Sequence, residues 1–527
     1  MPMQSGSLDA PLLQLSPTDH FTLRDAVQGV VCMGGIGSGK TSASKALRQA
    51  YLRAGMGGMV LCAKPEERDL WLREAAEAGR SDSVILVDGN TPIVNFLVYE
   101  LRRQGANGLN AVLECLMQVL DSSRAVSASP GKDGDAFWSD SKRQALRHTL
   151  PVLMAAKGTV SIPDIITFVR SAPRSPDEMT DPGWQKTSFF CAMFAQAAAR
   201  LDDATGRKMV SYWKDEWASL DPKTRGNIAI SVSTALDRFN HGWLQTAFCT
   251  ESRVVPELAF GGAILILDMP ALTRNEDGIV AQQLMKFLFQ RAVLARNGLP
   301  LVYQERPVFL WADEFQYFVN AYDAEFLSTC RGSKACMVIL TQSLPTLYAK
   351  MGSDSARDRV HHLLGNFATR IWHNQACHET NRWAADTIGQ SLHRRANFSE
   401  GEGSSYSSGS NMGMGTNWGT NSSSGSSSSY STSGNGQSSY GGGSNSSRGS
   451  SEGGNDNVGR NRGESSSANV SRGYSEQMGY LIEPAQFGRI LKTGGPAHGN
   501  RVSAVWFQAG RRFNVSGGNA FVAEFRQ

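Results

Sequence analysis

Close to its start the chain reads VVCMGGIGSGKTSASKAL, Val30 to Leu47. No other stretch restricts the possible folds so sharply. The pattern G-x-x-x-x-G-K-[ST] is filled by Gly34, Gly39, Lys40 and Thr41. Small residues in succession let backbone N–H groups turn inward around a polyphosphate, which β-carbons would obstruct. On this reading Gly34, Gly35, Ile36, Gly37, Ser38, Gly39, Lys40, Thr41 and Ser42 form a nucleotide cradle. Lys40 supplies charge at the outer phosphates and the Thr41 hydroxyl ligates Mg²⁺. Such a loop has to join a strand to a helix. Ala26 to Met33 reads as a short apolar strand, and Ser42 to Leu52 carries Ala, Leu and Lys at helical spacing. A dinucleotide fingerprint fits less well, because it leaves the Lys-Thr pair without a task.

The segments that follow extend an α/β pattern. GGMVLCAKPEE gives a strand from Met59 to Ala63 that stops at Lys64-Pro65, and after a charged helix comes the short strand of SVILVDG. From about Leu97 apolar residues fall at three-and-four spacing, as in LNAVLECLMQVL and FWSDSKRQALRHTLPVLMAA, and strand-like runs are few until about Asn240. This predicts an all-α insertion. Strands return in GGAILILDMP, RPVFLWADEF, KACMVILTQS and ATRIWHNQA, each short and apolar as central parallel strands are. VFLWADEF delivers Asp313 and Glu314 at the carboxyl end of its strand, where ligands gather in open α/β sheets. The acids are expected to face the cradle from the next strand, Asp313 in the Mg²⁺ shell and Glu314 orienting water. Gln342 closes the following strand, in position to sense γ-phosphate or water.

Composition excludes rather little. Lys plus Arg total 52 against 48 acids, so a nucleic-acid contact must come from local patches. The 8 cysteines are scattered without a C-x-x-C pair and read as buried hydrophobes. His373, Cys377 and His378 have no fourth ligand nearby and make a weak metal set. The N-terminus lacks the basic and apolar regions of a signal peptide, and no run of ~18 uncharged apolar residues occurs. A soluble protein is expected. Ser399 to Gly473 is nearly all Ser, Gly and Asn with balanced charges, which predicts disorder. Beyond it, GYLIEPAQFGRIL and VSAVWFQAGRRFNV read as a strand-like pair. The expected organisation is a tail (1–20), a nucleotide-binding domain in parts (21–98, 241–398 and 474–527), the all-α insertion (99–240) and the Ser/Gly-rich tract (399–473).

Taken in order, the P-loop, the helical insertion, WADEF, CRGSKACMVILTQS, GNFATRIW and ETNRWAADTIGQ form a set that resembles the TraG/TraD-type coupling ATPases of conjugation and type IV secretion, relatives of the FtsK/HerA DNA pumps. Lys64-Pro-Glu, VNFL (Asn95, Phe96), Phe137-Trp138 and LIEPAQF after the Ser/Gly tract are further matches. The resemblance spans about Phe21 to the C-terminus. It implies a RecA-like P-loop NTPase fold, ATP and Mg²⁺ as cofactors, and a homo-hexameric ring that moves DNA or a relaxase-bound strand toward a secretion channel. It also implies Lys40 and Thr41 on nucleotide and Mg²⁺, Asp313 and Glu314 as the hydrolytic acid pair, Gln342 as sensor, and Arg331 as an arginine reaching a neighbouring subunit's γ-phosphate. Phe137 and Trp138 are expected to anchor the insertion's core. Lys142, Arg143 and Arg147 form a small basic cluster that a DNA contact or a solvated helix face explains equally. Family members typically carry N-terminal transmembrane helices, and this chain begins almost directly with the nucleotide domain. The resemblance therefore implies either a separate membrane anchor or a variant acting on mobilisable DNA, cytoplasmic or peripheral at the inner membrane. A chromosome or viral DNA pump and a non-hydrolysing nucleotide-gated scaffold are the alternatives. A small GTPase is disfavoured, since the acid pair lies far downstream and no N-K-x-D motif occurs.

Overall fold

A computed structural model of the chain describes residues 7–127, 135–352, 355–411, 421–432, 438–449 and 459–527. It contains two compact units, one of Met1–Ala384 with Pro484–Gln527 and one of Ala385–Glu483.

The first unit is built on strands β1 (Pro11–Gln14), β2 (His20–Thr22), β3 (Val30–Met33), β4 (Gly57–Leu61), β5 (Val84–Val87), β6 (Ile264–Leu267), β7 (Val308–Ala312), β8 (Ala335–Thr341) and β9 (Thr369–Trp372). Strands β10 (Gln390–Asn411), β11 (Asn421–Thr432), β12 (Ser438–Gly449) and β13 (Gly459–Tyr480) follow in the second unit. The chain then returns to the first with β14 (Arg501–Gln508) and β15 (Ala520–Arg526). One nine-stranded sheet runs in the order β15-β14-β9-β3-β8-β7-β4-β6-β5. From β9 to β5 every pairing is parallel, and β14 and β15 join antiparallel beside β9. Every residue of β3, β4, β6, β7 and β8 is buried, as their uninterrupted apolar runs require when both sheet faces are covered. The mostly parallel α/β sheet read from the sequence is thus observed.

Several local expectations are corrected. The run from Ala26 is not all strand: Leu23–Ala26 is a helical turn started by a capping box of Thr22 and Asp25, and the strand begins only at Val30. The acid-bearing β7 does not neighbour β3, because β8 lies between them. The terminal strand pair is β14 with β15, while the first of the two expected segments ends β13 and turns into the short helix Gln486–Arg489. Residues 11–22 form a hairpin, and the Asp19 carboxylate accepts from the backbone of Asn514 (2.9 Å) and Val515 (3.1 Å), so that stretch is knit into the fold.

Between β5 and β6 every described element is helical, from Phe96–Gln104 to Pro256–Gly261. Phe168, Phe190, Trp213 and Trp217 pack there at ring separations of 4.8–5.5 Å. Phe137 is no part of that core. It is 55% exposed in the first turn of Asp135–Lys157 and touches Trp138 edge-on. The basic cluster also disperses: Lys142 is buried, Arg143 pairs with Glu114, and Arg147 alone is exposed.

In the second unit, β10 pairs with β13 from Gln390↔Tyr480 to Asn411↔Gly459, and β11 pairs with β12 from Asn421↔Gly449 to Thr432↔Ser438. The expectation of disorder over 399–473 is therefore corrected for the described residues; 412–420, 433–437 and 450–458 lie outside them. Composition measures what side chains can bury, whereas an antiparallel ladder satisfies backbone N–H and C=O groups without an apolar face.

Candidate nucleotide site at the carboxyl end of the sheet

The cradle leaves β3 at Met33 and enters the helical segments Lys40–Ala43 and Lys45–Arg53. Gly35 N–H donates to Asn374 O (2.9 Å) from the end of β9, which pins the loop's base. Gly39 has φ 83°, a left-handed conformation, and a β-carbon there would come within 2.5 Å of Val502 on β14. Only glycine meets both conditions. Ile36 is 90% exposed at the loop's tip, whereas the Ser38 hydroxyl is buried without a protein partner. Lys40 Nζ donates to Gly34 O (2.6 Å) and Gly35 O (3.0 Å). Burial lowers its pKa, against the opposing pull of the Asp313 and Glu314 charges.

Although β8 intervenes, Asp313 reaches the loop. Thr41 Oγ1 donates to Asp313 Oδ2 at 2.7 Å, and Asp313 Oδ1 accepts from Glu314 N–H at 2.8 Å. Glu314 follows β7 with φ 47° and ψ 46°. A non-glycine residue in that region carries strain of about 1–3 kcal/mol, tolerated only where the surroundings fix it. They do so through its carboxylate. Oε1 accepts from Lys64 Nζ (2.7 Å), and Oε2 accepts from the amides of Gln316 (2.7 Å) and Gln342 (3.1 Å). Burial pushes the Glu314 carboxyl up, but the hydrogen bonds from Lys64, Gln316 and Gln342 with the Lys64 charge outweigh it and hold the group below its usual range. Glu67 behaves oppositely. Burial, reinforced by the Asp313 charge, pushes it up to about 8; Oε2 accepts from Ala63 N–H (2.9 Å) and Oε1 has no partner.

Beneath the cradle Arg48 is buried and pairs with Glu74 through two 2.7 Å hydrogen bonds, while its other donors hold Ser44 Oγ (2.7 Å) and Thr41 O (3.0 Å). His373 is fully buried beside Gly34, and burial with the Lys40 charge lowers its pKa to about 3. His373, Cys377 and His378 do not converge: among the described residues no group of three His, Cys, Asp or Glu side chains is placed to hold a metal ion.

Arg331 is not brought to this site. It is exposed in the turn Cys330–Ser333 just ahead of β8, hence at the amino end of the parallel sheet, and it makes no ion pair among the described residues. Sequence reasoning missed Gln316, Glu67, Arg48 and Val502. Gln316 stands two residues beyond Glu314, a polar side chain between Phe315 and Tyr317, which was the one local signal available. Val502 is recognisable only once β14 is seen to cross the loop.

A family model described as the TraM recognition site of TraD and TraG matches residues 307–472. No curated protein sequence matches the chain. Among solved structures, the unbound bacterial conjugative coupling protein TrwB superposes with a TM-score of 0.51 at 13% identity, covering 96% of this chain and 86% of that one. The plasmid coupling protein TrwB with the non-hydrolysable GTP analogue GDPNP gives 0.52 at 12% identity, covering 98% and 88%. Its complex with ADP and Mg²⁺ gives 0.51 at 12% identity, covering 96% and 86%. The resemblance to TraG/TraD-type proteins read from the sequence is borne out, and the α/β P-loop fold is the one these structures share.

Proposed function

We propose that this chain is an ATP-hydrolysing motor of the type IV coupling-protein kind, which moves DNA or a relaxase-bound strand toward a transfer channel. The observation that carries the reading is the 2.7 Å contact between Thr41 Oγ1 and Asp313 Oδ2, which unites the P-loop hydroxyl with a strand-end carboxylate from β7. The donor set fits the cofactors. Two hard oxygen donors suit Mg²⁺, and the partnerless Ser38 hydroxyl lies within a loop whose glycine at position 39 leaves no side chain in the way. When bound, Mg²⁺ offsets charge on the β- and γ-phosphate oxygens.

The protein's own groups do the rest. Lys40 exchanges its two carbonyl partners for the outer phosphates. Glu314, kept ionised by Lys64 and two amides, orients water for in-line attack, and Gln342 ties that carboxylate to the end of β8. Arg331, at the far end of the sheet, serves a neighbouring subunit's site, so a homo-hexameric ring is the working form. The motor works in the cytoplasm against a relaxosome on one side and a separate membrane or secretion component on the other.

The test is ATPase rate with and without single- and double-stranded DNA for the wild type, Lys40→Ala and Glu314→Gln. Lys40→Ala is expected to abolish turnover. Glu314→Gln is expected to bind ATP and not hydrolyse it. Normal hydrolysis by both variants overturns the site. A wild type that binds ATP without turning it over points to the nucleotide-gated scaffold instead.

A further inference from the structure

We propose that Lys64 is the positioning residue of the water-orienting carboxylate, holding in place the Oε1 oxygen of Glu314 that remains open to water; this rests on the reading of Glu314 given above. An ionised carboxylate offers about four lone-pair directions. Gln316 and Gln342 take both on Oε2, and Lys64 takes one on Oε1. The direction left for water is on Oε1, beside the ammonium. Remove Lys64, and the carboxylate is held through Oε2 alone, free to swing Oε1 away from the cradle.

An ion pair with a half-exposed lysine is ordinarily worth little. Here the two partners are placed before they meet. Lys64 follows β4 and Glu314 follows β7, and these strands are paired, with Leu61 opposite Ala312. The buried Gln282, on the long helix Ala271–Ala295, clamps the chain just before Lys64. Its Oε1 accepts from Cys62 N–H (2.8 Å) and its Nε2 donates to Cys62 O (2.9 Å). Ala63 N–H is taken by Glu67 Oε2 and Glu67 N–H donates to Lys64 O (3.3 Å), which closes the turn. The same helix secures the chain just after Glu314, Gln283 donating to Tyr317 O (3.1 Å) and Lys286 to Phe318 O (2.6 Å). One helix therefore hangs both members of the pair, and Lys64 has no other side-chain hydrogen bond or ion pair among the described residues.

The experiment measures steady-state ATPase and thermal unfolding of the full chain with Lys64→Met, Lys64→Arg and Glu314→Gln. Lys64→Met is expected to lower kcat by about 10²-fold, the scale of a roughly 1 Å misplacement of a reacting group. KM for ATP and the unfolding temperature should stay at wild-type values, and Lys64→Arg should recover most of the rate. Wild-type kcat in Lys64→Met, a parallel change in KM and unfolding temperature, or no recovery in Lys64→Arg overturns the proposal. Glu314→Gln separates the two readings. If it is inactive while Lys64→Met is normal, the role of Lys64 alone falls; if it hydrolyses ATP normally, the assignment of Glu314 falls and Lys64 with it.

Discussion

The carboxyl end of the sheet and the helical insertion use their charged residues in different ways. At the sheet end Lys40, Thr41, Lys64, Asp313, Glu314 and Gln342, drawn from four strands' ends, meet within hydrogen-bond distance of one another or of the loop they serve. In the insertion Lys142 is buried, Arg143 is matched by Glu114, and Phe137 points outward. A motif whose members have distinct chemical tasks survives folding as a motif. A cluster of like charges on a helix does not, because consecutive residues such as Lys142 and Arg143 face different ways, and of Arg143 and Arg147, one turn apart, only the first is paired with an acid among the described residues.

Arg331 offers the hardest test of that contrast, since it belongs to the sheet domain and stands apart from its site. If it completes a neighbour's site, Arg331→Ala should bind ATP normally and lose about 10³-fold or more in turnover. Mixing it with Lys40→Ala should then restore activity, because one subunit keeps its cradle and the other its arginine. Absence of rescue after labelled subunits are shown to exchange, or a wild-type rate in Arg331→Ala alone, removes the residue from the site. A smaller effect is expected at Glu67. Burial and the Asp313 charge push its carboxyl up to about 8 from a usual 4.5, so the folded state binds more protons and stability is expected to fall as pH rises from about 4.5 to 8. Glu67→Gln keeps an oxygen for Ala63 N–H and removes the titration. Its unfolding temperature should therefore exceed that of the wild type at pH 8 and approach it at pH 5; an equal gap at both values breaks the account. The smallest effect belongs to the insertion. Arg147→Ala should change stability by no more than about 0.5 kcal/mol. It should also leave the salt dependence of DNA binding unaltered, whereas losing a phosphate contact lowers that slope by about one.

Much of the site was legible because its parts are local. Each strand is a short apolar run ending in a polar residue, and each chemical group sits at the run's end: Gly34 after Met33, Asp313 after Ala312, Gln342 after Thr341. Strand order was not legible. Nothing in VFLWA or ACMVILT says which one borders β3, since both are buried on both faces and either would fit. The supports were hidden for the same reason. Gln282 lies in the middle of a helix 220 residues from the Cys62 amide it holds, and an amide inside an apolar stretch gives no hint of its partner. The Ser/Gly tract misled because its side chains say almost nothing about backbone pairing.

Val502 lies against Gly39, Gln527 donates to Ser42 across 485 residues of sequence, and Gln508 and Arg511 bind Asp25 beside the first strands. Synthesis begins at the other end. While the ribosome is still adding residues, the phosphate loop exists as sequence but lacks the wall that shapes it, and β9 lacks its outer neighbour. Contacts this distant form late and slowly. The nascent chain is thus expected to have little grip on nucleotide until β14 has emerged and docked, which separates the making of the cradle from its first filling.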